Sequence, residues 1–355
     1  MKKYLLLLFV SYSFLYSQEV LIYRQGHNLL INNLVSNSSY MSDTCTNITD
    51  YCFSSDKVFV IAKSNYQNKK LCENKYYNKL LYSWYDFNDL LNMEFIELPV
   101  KDAYKLYLNP NSSELIVKTL SNNLFLINET SLSCIELNIL ENPEIIGWWD
   151  IKKILFKNSN RFYTYDIETC ETKIIFELEE LKYYTLFDEK NTYTKIDSNS
   201  FILAMYDKYL DNGVTLFYYD SVTLKKIYTA SGFFLDFVLF DRSSLFILDS
   251  RVIASKGDVE FLTKINLNGN IIDQMNLTDE LGIQSKRSIF RLCNDIVNNK
   301  IIFIVYDVIV GEKDGFYELD LIDTSRIKQL IKKNLLSIED IQIRELIKTG
   351  NKDQN

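Results

Sequence analysis

The sequence predicts an all-β chain built from a repeated unit. Three observations carry that expectation. The apolar residues fall in short runs rich in Ile, Val, Tyr and Phe. The runs are bounded by Asn, Asp and Ser, in a chain of 355 residues with only 10 Gly and 3 Pro. One arrangement of apolar run, Asx residue and turn returns along the chain. Continuous or alternating apolar runs of this length, closed by turn residues, form strands. Hydrophobic residues make up 47% of the chain and aromatics 14%. That is enough to fill the core of two ordinary domains or of one large repeat domain.

The chain opens MKKYLLLLFVSYSFLYSQE, with Lys2 and Lys3 ahead of an apolar run from Tyr4 to Tyr16. A charged start and a run too short to span a bilayer form a secretory signal, residues 1–17, with removal near Ser17. Leu15 stands where a small residue is usual before the cut, so an uncleaved anchor is the alternative. No later apolar run reaches the length of a membrane helix, because charges such as Asp236 and Asp307 interrupt them. The expected destination is the periplasm, the cell surface or the medium. Residues 18–56 read as N-terminal strands and a cysteine loop, in which VLIYRQGHNLLINNLV supplies strands that join the chain's ends. Within that loop Cys45 and Cys52 are the expected disulfide of an exported protein.

From 57 to 332 the chain repeats. LYSWYDFNDLLNMEFIEL, LFLINETSLSCIELNIL, RFYTYDIETCETKIIFEL, TLFYYDSVTLKKIYT, FLTKINLNGNIIDQM and FYELDLIDTSRIKQL each end a strand-like run at Asp86, Asn128, Asp166, Asp220, Asn266 or Asp320. A turn-compatible residue follows three positions later, and then a second β-prone run. A carboxylate or amide at such a corner accepts hydrogen bonds from the turn's N–H groups. The anchors are 42, 38, 54, 46 and 54 residues apart, close to the length of a four-stranded propeller blade. Weaker hairpins upstream, such as YLNPNSSELIV and LFDRSSLFIL, supply each blade's inner strands, and the anchored hairpins supply the outer ones. Six or seven blades are expected. Over 333–355, Ser337 with Asp340 three residues on, and Ile338, Ile341 and Leu346, predict a short C-terminal helix and tail.

YLNPNSSELIV and YDIETCETKII bring the chain close to a known pattern. From about 57 to 332 it resembles the TolB-like and WD-repeat-like β-propellers, in which an inner hairpin reading aromatic-Ser-Pro-Asp-Gly-x-x-apolar precedes an outer one reading apolar-Tyr-Asp-x-x-Thr-Gly. Most of the Pro and Gly of that pattern are missing here, and no Trp-Asp dipeptide closes a blade. The resemblance implies the fold and leaves function open.

Chemistry is sparsely marked. A net charge of −8 and a pI near 5.0 exclude a phosphate-backbone partner such as nucleic acid. His27 is the single histidine, which rules out a metal site needing two, and it reads as a turn residue. No phosphate-binding glycine loop occurs. Asp150, Asp188, Asp236 and Asp295 lie near inner strands and are the candidates for a carboxylate pair of the kind that hydrolyses glycosides. DKYLDNG gathers Asp207, Asp211 and Asn212 beside Gly213 but lacks the full calcium loop. Five N-x-S/T triplets, at Asn37, Asn47, Asn111, Asn128 and Asn276, match what chance gives in an Asn-rich chain. The expected function is an exported, non-catalytic scaffold for a protein or glycan partner, with no cofactor, metal or catalytic residue assigned. A carboxylate hydrolase at the channel mouth is the alternative.

Overall fold

The computed structural model describes residues 17–25, 28–33, 39–41, 46–53, 58–64, 79–81, 95–97, 100, 103–109, 114–128, 133–139, 144–187, 192–209, 213–230, 232–254, 256–283, 288–292, 299–307, 314–321, 327–332 and 338–347. Of the side chains before residue 100, those of Leu30 and Asp50 are described.

Among these residues, five antiparallel sheets follow one another along the chain: sheet I over 103–136, sheet II over 144–177, sheet III over 184–229, sheet IV over 233–276 and sheet V over 288–332. Within each, neighbouring strands follow in sequence order, so every internal connection is a hairpin. The first strand of sheet III is in two pieces, Tyr184–Leu186 and Tyr193–Lys195, both paired with Phe201–Asp207.

The second strands are runs such as ELIVKT, KILFKN, FILAMYD and SLFILDSRVI, apolar at successive positions. Side chains alternate across a strand, so a continuous apolar run suits a sheet covered on both faces. The packing follows that rule. Ile116 of sheet I meets Ile154 and Phe156 of sheet II, while Leu115 and Val117 face the other way. Leu155 turns instead to Leu203 and Met205 of sheet III. Ile202 and Ala204 meet Leu245 and Ile247 of sheet IV, and Phe246 and Leu248 meet Phe303 and Val305 of sheet V. Sheets II, III and IV are thus each clamped between their neighbours in chain order. The fourth strands, Thr172–Glu177 and Ile271–Asn276, are mostly exposed and form the outer edge.

These stripes hold the fold. Phe156 is fully buried and stacks on Tyr163 with centroids 5.2 Å apart; a side chain so placed is worth roughly 3–5 kcal/mol against Ala. Exposed ion pairs such as Lys152 with Glu168 are screened by water and add little. Trp148 and Trp149 point to opposite faces, as neighbours on a strand must. Trp148 packs between sheets I and II and donates from Nε1 to the Tyr107 carbonyl at 3.1 Å. Trp149 is half-buried against Phe201 of sheet III.

The ends of the chain meet in one sheet. Ile338–Ile347 pairs antiparallel with Ser17–Gln25, which continues through Asn28–Asn33 to Ser39–Met41. The expectation of a C-terminal helix is therefore corrected: residues 338–347 are a strand. Four isoleucines stiff at χ1 favour extended backbone, and the open edge of Ser17–Gln25 offers the hydrogen bonds. Two ribbons complete the described strands. Thr46–Phe53 pairs with Val58–Ser64, spanning the boundary set by sequence at 56, and Lys79–Leu81 pairs with Phe95–Glu97. The first ribbon is tied to sheet I, where Leu106 N–H donates to Asp50 Oδ2 at 2.7 Å.

Candidate functional site

In a sheet of successive hairpins the first and third turns lie at one end and the second turn at the other. The two ends differ in chemistry. At the first-and-third-turn end, Asx residues hold the corners. Asp166 Oδ1 accepts from Glu168 and Thr169 N–H at 3.0 and 3.1 Å. Asp220 Oδ1 accepts from Val222 and Thr223 N–H at 3.2 and 2.8 Å. Asn266 Oδ1 accepts from Asn268 and Asn270 N–H, both at 3.0 Å. The Thr169 N–H bond holds the Asp166 carboxyl below the usual carboxylate range; for Asp220 the Lys225 ammonium is the main cause. Gly269, at φ +84°, needs its hydrogen twice over, because a Cβ there would lie 2.3 Å from the Ile227 carbonyl of sheet III. Asn128 and Asp320 end their strands, and Asp86 lies outside the described residues.

The same chemistry recurs at first turns, where the sequence analysis assigned no anchors. Asp150, Asp197 and Asp241 accept from the N–H groups of Lys152, Asn199 and Ser243 at 2.8, 2.8 and 2.7 Å. Of the candidate carboxylates, Asp150 is thus engaged in its own turn and lies 3.7 Å from Lys153 Nζ. Asp236 is buried and accepts from Phe237 N–H at 2.8 Å. They sit on sheets II and IV. Asp188, Asp295, His27 and Cys45 lie outside the described residues, and Cys52 is described in its backbone alone. In DKYLDNG, Asp207 Oδ1 accepts from Tyr209 N–H at 2.9 Å, closing a turn; Asp211 and Asn212 fall outside. Among the described residues no group of three His, Cys, Asp or Glu is placed to hold a metal ion, and no helix is long and apolar enough to cross a membrane.

The second-turn end carries exposed aromatics, and the richest part is where sheets II and III meet. A short 3-10 helix, Glu179–Tyr183, connects the two sheets there. Tyr183 and Tyr209 lie with ring centroids 5.1 Å apart, and Tyr209 is 75% exposed despite the contact. Tyr206, Phe187 and Phe234 continue as a chain of ring contacts toward sheet IV, with Phe233 exposed beside them. Lys182 Nζ sits 5.0 Å from the Tyr183 ring centre and 3.1 Å from Glu179. Lys208 pins the helix to the second turn of sheet III, its N–H donating to the Tyr183 carbonyl and its Nζ to the Lys182 carbonyl, both at 2.9 Å.

Beneath this surface lies Lys157, 2% exposed at the end of KILFKN. Its Nζ is 3.6 Å from Glu144 Oε2, an oxygen that is itself buried without a hydrogen bond. Burial pulls the Lys157 ammonium below the ordinary lysine range; Glu144 opposes the shift and the like charge of Lys208 adds to it. Sequence reasoning passed over both the lysine and the tyrosines. The usable signal was a lysine inside an apolar run at matching positions of ELIVK and KILFK, Lys118 and Lys157, both buried.

Other buried polar groups serve the fold. Glu260, 1% exposed, accepts at Oε2 from Thr278 Oγ1 at 2.5 Å, and Thr278 Oγ1 accepts from Glu260 N–H at 3.0 Å. Burial pushes the Glu260 carboxyl above its ordinary 4.5, against the hydrogen bonds that favour the anion. Above 4.5 the unfolded chain gives up this proton while the folded chain keeps it. Stability from this group is therefore full below 4.5 and falls as pH rises through the raised folded value. Glu260→Gln is expected to flatten the fall in urea midpoint across that window; equal slopes in variant and parent would refute the assignment.

No family model matches the chain, and no curated protein does. Among solved structures it is similar to dihydro-heme d1 dehydrogenase NirN in complex with DHE, at 11% identity and a TM-score of 0.52, over 91% of this chain and 74% of that one. It is also similar to the acylaminoacyl peptidase of Pyrococcus horikoshii, at 13% identity and a TM-score of 0.50, over 81% of this chain and 46% of that one. The fold is a β-propeller. At these identities the likeness is one of fold, and the chain spans less than half the length of the peptidase.

Proposed function

We propose that this chain is an exported β-propeller of the TolB-like or WD-repeat-like sort that binds a protein or glycan partner without transforming it, through the tyrosine-bearing end of sheets II and III. The observation that carries this reading is the pair Tyr183 and Tyr209, exposed yet fixed by the contacts of Lys208. Rigid, amphipathic rings held at a surface give contact area at little entropic cost, which is why tyrosine is enriched at recognition surfaces. Seven blades are the count we favour, with the two ribbons taken as halves of one blade beside the six larger sheets. Export rests on Lys2, Lys3 and the apolar run that follows, and N-terminal sequencing of protein from its host decides it.

The rival reading is a carboxylate hydrolase, and enzymes do occur among the solved structures with this fold. Against it, Asp150 and Asp236 are both engaged in local backbone contacts. A glycan array and capture from envelope or medium, run with the parent and with Tyr209→Ala, test the binding reading. Retention by the parent and its loss in the variant are expected. Retention unchanged by Tyr209→Ala, or turnover of a chromogenic glycoside abolished by Asp150→Asn or Asp236→Asn, overturns it.

A further inference from the structure

We propose that Tyr209 and Tyr183 take an arginine side chain from a basic segment of a protein partner, its guanidinium stacked on the exposed Tyr209 ring and its charge answered by Glu180. The inference rests on the binding reading above and narrows it to a protein partner of one charge. Glu179–Tyr183 is a 3-10 helix with Leu181 buried and its other four residues exposed. Three residues make one turn of such a helix, so side chains at i and i+3 eclipse. Glu179 and Lys182 show the rule, with Oε2 3.1 Å from Nζ. The same spacing sets Glu180 on the side of Tyr183, whose ring centre lies 5.1 Å from that of Tyr209 with the planes tilted by 58°. Glu180 has no ion pair or side-chain hydrogen bond among the described residues.

The surface already receives a cation of its own chain. Lys182 Nζ stands 5.0 Å from the centre of the Tyr183 ring, the placement in which an aromatic face attracts an ammonium. Tyr209 is the more exposed ring and has no such occupant among the described residues. The charges around the rings leave an acidic balance. Glu177 is paired with Arg161 at 2.8 Å, Glu179 with Lys182 at 3.1 Å and Glu144 with Lys157 at 3.6 Å. Glu180 and Asp207 then remain against Lys208, whose Nζ is turned back to the Lys182 carbonyl. Asp207 accepts from Tyr209 N–H at 2.9 Å, which holds its charge at the base of the Tyr209 turn. A neutral sugar covers the Tyr209 ring and leaves Glu180 unanswered. Arginine meets both, because its planar guanidinium stacks on an aromatic face and keeps in-plane donors for a carboxylate. The net charge of −8 steers a basic partner in the same sense.

The test is fluorescence anisotropy on the full chain with a labelled arginine-rich peptide, beside the same peptide carrying citrulline at the arginine positions. Citrulline keeps the shape and loses the charge. The arginine peptide is expected to bind about ten-fold or more tighter than the citrulline peptide, and to weaken as salt rises. Tyr209→Leu and Glu180→Gln, both at exposed positions, should each weaken the arginine peptide about five-fold or more with the thermal midpoint unchanged. Glu171→Gln, which alters an exposed acid in the third turn of sheet II at the opposite end, should bind like the parent. The proposal is overturned if the arginine peptide does not bind, if the citrulline peptide binds as well, or if Tyr209→Leu or Glu180→Gln binds like the parent. Glu171→Gln weakening the peptide as much as Glu180→Gln also overturns it, since the attraction would then be to acidity at large. A glycan or protein retained through Tyr209 while the arginine peptide stays unbound removes this inference and leaves the binding reading standing. No retention of any kind removes both.

Discussion

Replacing Arg251 by Met is expected to destabilise the protein by about 2–3 kcal/mol, below the roughly 3–5 kcal/mol for breaking a fully buried ion pair, because the Arg251 side chain is partly exposed while Asp249 is not. Asp249 is fully buried between sheets III and IV. Its oxygens accept from Arg251 Nε at 2.8 Å, from Arg251 Nη2 at 3.3 Å and from the Tyr228 hydroxyl at 3.2 Å. The guanidinium lies 4.6 Å from the Phe261 ring centre, and Gln274, with its amide oriented to accept, receives Nη2 at 3.0 Å. Burial, with Asp249 next, pushes the Tyr228 hydroxyl up to about 12, so it is a neutral donor at every working pH. Without Arg251 the Asp249 charge keeps one neutral donor and no counter-ion, and it must either stay buried as an anion or take up a proton. Asp249→Leu combined with Arg251→Met removes both charges and should recover part of the loss. Urea midpoints of the parent, both single variants and the double variant decide the matter. An Arg251→Met midpoint within error of the parent, or a double variant no better than the worse single, would show that the pair contributes nothing.

Why this network escaped the sequence while other features did not is a matter of range. Asp166, Asp220 and Asn266 bond to N–H groups two to four residues ahead. An Asx residue, a short gap and a β-prone run contain the whole interaction, so a reader of the chain can find it. Tyr228 and Asp249 are 21 residues apart and on different sheets, and nothing local to either predicts the other. Lys157 reads in isolation as the solvated end of a strand, and its burial comes from the packing of sheet III against sheet II. Gly269 is legible as a turn glycine, but the Ile227 carbonyl that forbids a Cβ belongs to the preceding sheet III. The repeat and the stacked sheets could be read because they rest on local periodicity. The binding surface could not, because Tyr183 and Tyr209 meet across a connection between two sheets.

The last strand shows the same limit and carries the second large effect. SIEDIQIRELIK supports two readings: Ile338, Ile341 and Leu346 fall near a helical face, while Ile341, Ile343 and Ile347 alternate as in a strand. Helix propensity favours the Glu, Arg and Leu here only weakly, and an isolated helix of this length is marginal in water. The edge of Ser17–Gln25 tips the balance, with eight residue pairs from Ser17 opposite Ile347 to Gln25 opposite Ile338. At about one net hydrogen bond per pair, each worth roughly 0.5–1.5 kcal/mol, deleting residues 337–355 should cost on the order of 5 kcal/mol. The cost should concentrate at the chain's start, because Ser17–Gln25 then becomes an open edge. Limited proteolysis is expected to cut within 17–33 in the truncated protein before it cuts sheets II to IV. Ile343→Pro, opposite Leu21 in the ladder, removes one donor and clashes in mid-strand, so it should reproduce part of the effect without shortening the chain. If the truncated chain melts with the parent and its N-terminal segment stays protected, the pairing of the two ends does not stabilise this propeller, and its blades stand on face-to-face packing alone.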